Sequence, residues 1–370
     1  MRKMIRTFHP IGQGAFYTEE FNGLKIVYDC GSDNIDLIEK EIRSVFEKAQ
    51  SIDAVFISHL HSDHVNGLEY LLNYCDVQKL FLPLLQEDVK INSLIQNHIQ
   101  GSPSPFVIQL IENPEAALAN RGNVKLILVE QTNNESQINP ESSALSIDEE
   151  ITSDMLTRNT KMNSSKIPDW VFIPFNFRQP ARSDDFKNEL KNRNVNFGSL
   201  AEFKSHWSNN VDKRKIIEAY KSVPGSLNTN SMTLYSGPDL KDSSQYFIEH
   251  YCRNIYPRCY CGEAFAGCLY FGDYEAKGEQ KWDQLISHYG KYWEAVGTVQ
   301  VPHHGSRHNY NREINKNNPK ISIMSAGFAN RYRHPHASTA RDISVDCGCP
   351  LIVTENVGSR VMIEIIGPIN

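Results

Sequence analysis

Four side chains of metal-binding type fall within six positions, in the stretch Ser58-His59-Leu60-His61-Ser62-Asp63-His64. No other segment constrains the chain as much. The stretch follows an apolar run, Ala54-Val55-Phe56-Ile57, and leads into a helical pattern over residues 65–74. Alternate residues of an extended segment point the same way, so His59, His61 and Asp63 share one side. The turn into the helix brings His64 round. Imidazole nitrogen and carboxylate oxygen suit zinc, manganese or iron. At the end of a buried strand, this spacing reads as a metal site rather than as a polar loop with scattered histidines.

The flanking pattern is α/β. Residues 5–10, 15–21 and 24–28 read as strands, with Gly12-Gln13-Gly14 as a tight turn and Asn22-Gly23 as a hairpin. Apolar residues at Ile35, Ile38, Ile42, Val45 and Ala49 predict a helix over 33–50, capped by Ser32 or Asp33. A strand over 79–82 then completes the alternation of a layered α/β fold. Later strands are expected over 232–235, 245–249, 267–273, 295–301 and 321–325, with 351–354 and 360–365 closing the chain as a hairpin. Residues 84–225 are less regular. They carry helical patterns over 87–100 and 105–119, strands over 124–129 and 170–177, and a polar stretch, 131–166, read as a partly flexible surface insertion. The charged helical segment 186–221 suits either a lid or a partner surface.

The composition excludes some functions. A net charge of −6 and a pI near 6.1 give no global attraction to nucleic acid or an anionic membrane, so a polyanion needs a local basic patch. The N-terminus lacks an apolar h-region, and no apolar run reaches the length of about 18 residues that a membrane helix needs. Eight cysteines are expected as free thiols in a reducing cytoplasm. Cys252, Cys259, Cys261 and Cys268 depart from zinc-ligand spacing and read as buried or hairpin thiols.

Polar groups recur where apolar strands end: His59 to His64, Asp273, His303 and His304. Such ends converge on one rim of a sheet. They supply enough donors for two metals, with Asp273 able to bridge. Two ions about 4 Å apart would activate a water and stabilise both oxygens of a phosphoryl transfer, with no Ser or Cys nucleophile.

In order and spacing, these motifs resemble the metallo-β-lactamase superfamily, whose metal motif has the form H-x-H-x-D-H. Within it, the chain is most similar to the hydrolase domain of DNA-uptake competence proteins and related phosphodiesterases. The resemblance rests on Gly12-Gln13-Gly14, Asp29-Cys30-Gly31, residues 58–67, Asn230-Ser231-Met232, Gly272-Asp273, residues 301–306 and His334-Pro335. It leaves 84–225 uncovered, as an insertion or a diverged segment of one domain spanning 1–370. It implies an αββα sandwich. It implies His59 and His61 on one metal, and Asp63, His64 and His303 on a second, with Asp273 bridging. His304 is a ligand, a supporting group or a proton donor.

Many members add a mid-chain His; here Asn230 stands at about that place, and His98, His206 and His250 read as surface residues. In the implied fold Arg307, Arg331 and Arg333 flank the metals, where Arg suits phosphate. His334 is the candidate proton donor, and Asp63 serves catalysis as well as binding. The expected cofactors are two divalent ions, zinc before manganese. The expected function is phosphodiester hydrolysis by a metal-bound hydroxide, foremost as a nuclease on DNA or RNA. The alternatives are a small-molecule phosphodiesterase, or an effector regulated by a protein partner through 84–225, by analogy a bacterial anti-phage component. Lactam hydrolysis is not expected.

Overall fold

Asn22-Gly23 does form a hairpin. Gly23 takes φ 82° and joins the antiparallel strands Gly14–Phe21 and Leu24–Ser32. The computed structural model describes residues 3–132, 137–151, 155–156, 160–177, 181–223, 231–241, 246–253, 265–316 and 320–367. Asn230, Cys259 and Cys261 lie outside these, as do the side chains of His250 and Cys252.

Among the described residues, two nine-stranded sheets form the centre. The first runs, edge to edge, Met155–Leu156, Lys125–Val129, Lys79–Pro83, Ala54–Phe56, Leu24–Ser32, Gly14–Phe21, Lys3–Phe8, Val361–Ile366 and Phe247–Arg253. The second runs Leu145–Ser146, Met162–Ser164, Ile167–Phe177, Thr233–Pro238, Gly267–Tyr270, Val296–Gln300, Ile321–Ser325 and Cys349–Val353, with Gln131–Thr132 paired off the main path.

Period-2 alternation sends one face of each sheet inward. Phe8, Tyr17, Tyr28 and Phe56 of the first sheet meet Trp170, Phe172 and Tyr270 of the second in one buried cluster. The Tyr28 and Tyr270 rings stack at 4.7 Å, a pair worth about 1 kcal/mol beyond its buried area. A buried ion pair also sits between the layers: Arg6 Nε donates to Glu19 Oε1 at 2.6 Å, and Arg6 also donates to the Ala266 carbonyl at 3.1 Å. Removing either partner strands a buried charge, at a cost of about 3–5 kcal/mol. Helices Ile35–Val45, Leu68–Tyr74 and Glu87–Gln100 cover the outer face of the first sheet, and Glu279–Tyr289 and Ala337–Val345 that of the second. This is the αββα sandwich.

Several expectations shift. The helix Ile35–Val45 is capped by Asn34, whose side chain accepts from Leu37 N at 3.2 Å. Ser32 is still in the strand, its hydroxyl donating to the Ile11 carbonyl at 2.6 Å. The helical stretch 105–119 breaks into Pro105–Glu112 and Pro114–Leu118, because Pro114 has no N–H to continue the first and Asn113 caps the second. The segment 84–225 is woven into the sandwich: it supplies Lys125–Val129 to the first sheet and Ile167–Phe177 to the second.

The expected closing hairpin does not form. Cys349–Val353 pairs in parallel with Ile321–Ser325 in the second sheet, whereas Val361–Ile366 pairs antiparallel with Lys3–Phe8 in the first. Alternation marks a strand but not its partner, and the turn at Val357–Ser359 carries the chain across the end of the sandwich. No helix among the described residues is long and apolar enough to cross a membrane.

Candidate metal centre

The strand Ala54–Phe56 runs parallel to Leu24–Ser32, and the chain leaves its C-terminal end into the histidine loop. Two glycines allow that loop to dock. A Cβ at Gly31 would lie 2.5 Å from the His64 backbone, and one at Gly14 would lie 2.8 Å from the Asp63 carbonyl oxygen. Asp29 anchors the loop from beneath. Its Oδ1 accepts from Ser58 N at 2.6 Å and its Oδ2 from the Ser58 hydroxyl at 2.7 Å.

The other donors come from the second sheet. Asp273 follows Gly267–Tyr270 through Gly272 at φ 54°, where a Cβ would strike Ser58. His303 and His304 follow Val296–Gln300, and both hold left-handed backbone, at φ 48° and 55°. Consecutive non-glycine residues there are uncommon and cost free energy, so the surrounding structure must enforce them. The turn presents both imidazoles to Asp273.

The Asp273 carboxylate sits between two histidine sets. Its Oδ1 lies 3.2 Å from His64 Nε2 and 3.8 Å from His304 Nε2. Its Oδ2 lies 3.6 Å from His59 Nε2 and 3.5 Å from His303 Nε2. His304 Nε2 is also 3.2 Å from Asp63 Oδ2. These separations are long for charge-assisted hydrogen bonds. They match the roughly 3.4 Å between neighbouring ligands of a tetrahedral ion with bonds of about 2.1 Å. Two sets have their donor atoms within 4.8 Å of one another: His59, His64 and Asp273; and Asp63, His64 and His304.

The far side of each ring is held. His64 Nδ1 meets Asp29 Oδ2 at 2.7 Å, and His304 Nδ1 meets the Ser325 carbonyl at 2.8 Å. His59 Nδ1 lies 2.9 Å from the Ser58 hydroxyl and 3.0 Å from that of Ser231, and His303 Nδ1 lies 3.1 Å from Asn309 Oδ1. Such bonds set the tautomer and aim Nε2 inward. Inside the site, His59 Nε2, His64 Nε2, Asp63 Oδ1 and Asp273 Oδ1 are buried without a hydrogen-bond partner among the described residues. Unpaired buried polar atoms are costly, and divalent cations at the two donor sets would satisfy all four between them. The residues fit the ions that the fold implies.

The electrostatics agree. Burial opposes ionisation of Asp273, yet His303, His64 and His59 hold its carboxyl well below the usual range. Asp63 is likewise held low against burial by His64 and His304. Burial, with His64 and His61 adding, drives His59 well down; burial lowers His61 to about 4. Those rings are neutral near pH 7, with lone pairs free to bind metal. Burial would also lower His64, but Asp273, Asp29 and Asp63 draw it well up, marking a place that favours positive charge.

The expected ligands do not all converge equally. His304, rather than His303, stands beside Asp63 and His64, because the left-handed turn directs the second imidazole of the pair to that side. His61 and His303 fall outside both compact sets. His334 lies on the same side, its ring 5.3 Å from His303 and 6.1 Å from His304. Burial and those two rings lower it to about 3. Arg307, Arg331 and Arg333 are exposed and do not line the cavity over the centre. His98 Nδ1 meets the Leu94 carbonyl at 2.8 Å and His206 pairs with Asp212 at 2.8 Å; both are half-buried on helices rather than fully solvated. Asp29 was visible in the Asp-Cys-Gly triplet without a role. Ser58, Ser231 and Asn309 carried no spacing signal.

Residues 19–80 match the Metallo-beta-lactamase superfamily. Over that stretch the chain is similar to the metallo-β-lactamase superfamily. Ribonuclease J of Mycoplasma pneumoniae is 30% identical over 97 residues, which cover 21% of this chain and 17% of that one. The anti-Pycsar protein Apyc1 of Bacillus phage BSP38 is 27% identical over 103 residues, covering 25% of this chain and 39% of that protein. The match thus spans well under two thirds of either relative. Among solved structures, human tRNase Z, short form, aligns over 94% of this chain and 92% of that chain at 10% identity, with a TM-score of 0.39. Superposition that loose carries no residue-by-residue correspondence. The superfamily match ends before Asp273, so the second half of the centre rests on geometry within this chain.

Proposed function

We propose that this chain hydrolyses phosphodiester bonds with two divalent metal ions, zinc or manganese, held on either side of Asp273. The observation that carries this reading is the division of the Asp273 carboxylate, with Oδ1 toward His64 and His304 and Oδ2 toward His59 and His303. Asp63, His64, His304 and Asp273 Oδ1 would hold one ion. His59, His61 and Asp273 Oδ2 would hold the other, with His303 on that side.

Bound there, the ions would acidify a water and neutralise charge on the phosphoryl oxygens. The net reaction adds water to phosphorus, breaks one P–O ester bond and delivers a proton to the departing alcohol oxygen. The chain's own residues orient the parts. Asp29 and Ser231 fix the rings of His64 and His59, and Asn309 donates to the Asp273 carbonyl at 3.0 Å, securing the bridge. His334, kept neutral by its surroundings, would steady the departing oxygen with an N–H hydrogen bond, while the proton that oxygen takes up comes from the added water.

A nuclease is the first reading of substrate. Exposed Arg307, Arg331 and Arg333 adjoin in sequence the cavity residues His308, Tyr332 and His334, where a phosphate backbone would meet them. One observation favours a small diester instead: among the described residues lining the cavity there is no Lys or Arg. The test is turnover of bis(p-nitrophenyl) phosphate, single-stranded DNA and single-stranded RNA by metal-loaded protein, with His64→Ala as control. Absence of hydrolysis of all three by fully loaded wild type would sink the proposal.

A further inference from the structure

The arginines fall into two groups. Among those with described side chains, every arginine away from the cavity mouth pairs with a carboxylate, from the buried Arg6 to the exposed Arg312. Arg307, Arg331 and Arg333 form no ion pair with a described residue. All three are exposed beside residues that line the cavity: Arg307 between Ser306 and His308, and Arg331 and Arg333 on either side of Tyr332. The Asp33 carboxyl feels Asp63 and Arg331 alike, so Arg331 also stands near the metal donors. In a chain of net charge −6, three unneutralised cations in one place are a local attraction for a polyanion.

The same loop exposes aromatic rings. Phe328 is 77% exposed and Tyr332 41%, although Phe is among the residues that folding most often buries. Arg331 Cζ lies 4.8 Å from the centre of the Tyr332 ring. Tyr332 stacks on His334 at 5.6 Å, and His334 on His304 at 6.1 Å, with interplanar angles of 22° and 25°. A ladder of planar groups thus leads from exposed Arg331 to a metal donor. The loop is pinned through its backbone. Asn330 Nδ2 donates to the Gly327 and His334 carbonyls, both at 2.6 Å, and its Oδ1 accepts from His334 N at 2.8 Å. Phe328 N donates to Glu355 Oε2 at 3.1 Å. A Cβ at Gly327 would lie 3.1 Å from Gln13 N, so Phe328 starts beside the cavity wall.

We propose that residues 327–334 form a docking platform for single-stranded nucleic acid whose reacting phosphate lies at the metal centre. One base stacks on Phe328 and another on the Arg331–Tyr332 pair, while Arg307 and Arg333 take neighbouring phosphates. This rests on the phosphodiesterase reading and deepens its nuclease form. The chemistry selects the occupant. Arginine forks suit phosphate. Every base has a π-face, so open rings bind a strand without reading its sequence. Paired bases cannot splay onto the rings, and the acidic chain offers no broad basic face to a duplex. The platform also accounts for the lack of Lys and Arg among the described residues lining the cavity. The metals take the reacting phosphate, and the rim cations hold its neighbours.

The test is fluorescence anisotropy with labelled oligodeoxythymidylate, oligouridylate, an abasic strand of equal length and a duplex; the first two tell DNA from RNA. Binding is measured on chelator-treated protein, where no cleavage intervenes, and on metal-loaded protein with strand integrity checked on a gel. Phe328→Ala and Tyr332→Ala should each weaken single-strand binding about tenfold, and Tyr332→Phe, which keeps the ring, should bind as wild type does. Arg307→Gln and Arg333→Gln should each flatten the slope of log affinity against log salt by about 0.7. The abasic strand and the duplex should bind wild type at least about tenfold more weakly than the better single strand. Phe328→Ala should keep its melting temperature and metal content, because the ring is so exposed. Unchanged affinity in both alanine variants would overturn the proposal, as would a duplex or abasic strand bound as tightly as the single strands. So would a lowered melting temperature with metal loss in Phe328→Ala, which would make that ring structural. Metal-loaded wild type that binds the strands in this way, yet hydrolyses neither them nor bis(p-nitrophenyl) phosphate, would instead sink the phosphodiesterase reading, a distinguishable result.

Discussion

The two sides of Asp273 are built differently. On the Oδ1 side, Asp63, His64 and His304 form a compact set of their own, and a buried carboxylate, Asp29, stands behind His64 at 2.7 Å. On the Oδ2 side, the compact set of His59 and Asp273 is completed only by borrowing His64. Its supports are neutral: serine hydroxyls behind His59 and an amide behind His303, whose side chain is 31% exposed. A carboxylate behind an imidazole makes it a stronger ligand than a hydroxyl does. If two ions bind as proposed, the Oδ1 side would retain its ion and the Oδ2 side, bordered by His303 of the cavity wall, would exchange its ion more readily.

The comparison can be broken most sharply at His64, the donor common to both sets. His64→Ala should lose both ions and all hydrolysis, whereas His59→Ala should lose only the Oδ2-side ion; metal analysis after dialysis reads both. A smaller effect is expected behind the rings. Asp29→Asn should weaken metal binding about 10–100-fold, and Ser231→Ala by less than about tenfold. Equal losses in a competition assay with a chromogenic chelator would remove the asymmetry.

Acid should separate the sides more gently. The carboxylates draw His64 and His304 up, so in the metal-free protein these rings carry protons near neutrality, and a metal must displace them. Affinity on the Oδ1 side should therefore fall as pH drops through the neutral range. His61, lowered to about 4, and His59, driven well down by burial, hold no proton to displace near neutrality. Affinity on the Oδ2 side, where His64 is the one raised ring it shares, should fall less steeply. Titrations with Co²⁺ absorbance at stepped pH would show two distinct profiles; a single shared profile contradicts the division.

Much of the centre was legible because its chemistry is local. The spacing from His59 to His64, the acid ending a strand at Asp273 and the His303-His304 pair can be read from the chain alone. What could not be read depends on backbone geometry or on distant contacts. Whether His303 or His304 reaches Asp63 is decided by two successive left-handed residues, which no periodicity reveals. The last two strands read correctly as strands, but their partners lie in opposite sheets. Nothing in the pattern around Arg6 signals burial, yet it lies buried against Glu19 between the layers. Tyr220 occupies an ordinary core position in an amphipathic helix, and only the fold brings it to the cavity wall.

The measurement closest to the central claim is divalent metal content per chain in wild type and in Asp273→Ala, after saturation and dialysis. The bridging role of Asp273 predicts two ions in wild type and at most one in the variant, held by Asp63, His64 and His304. Two ions retained by Asp273→Ala, or never more than one in saturated wild type, would contradict it.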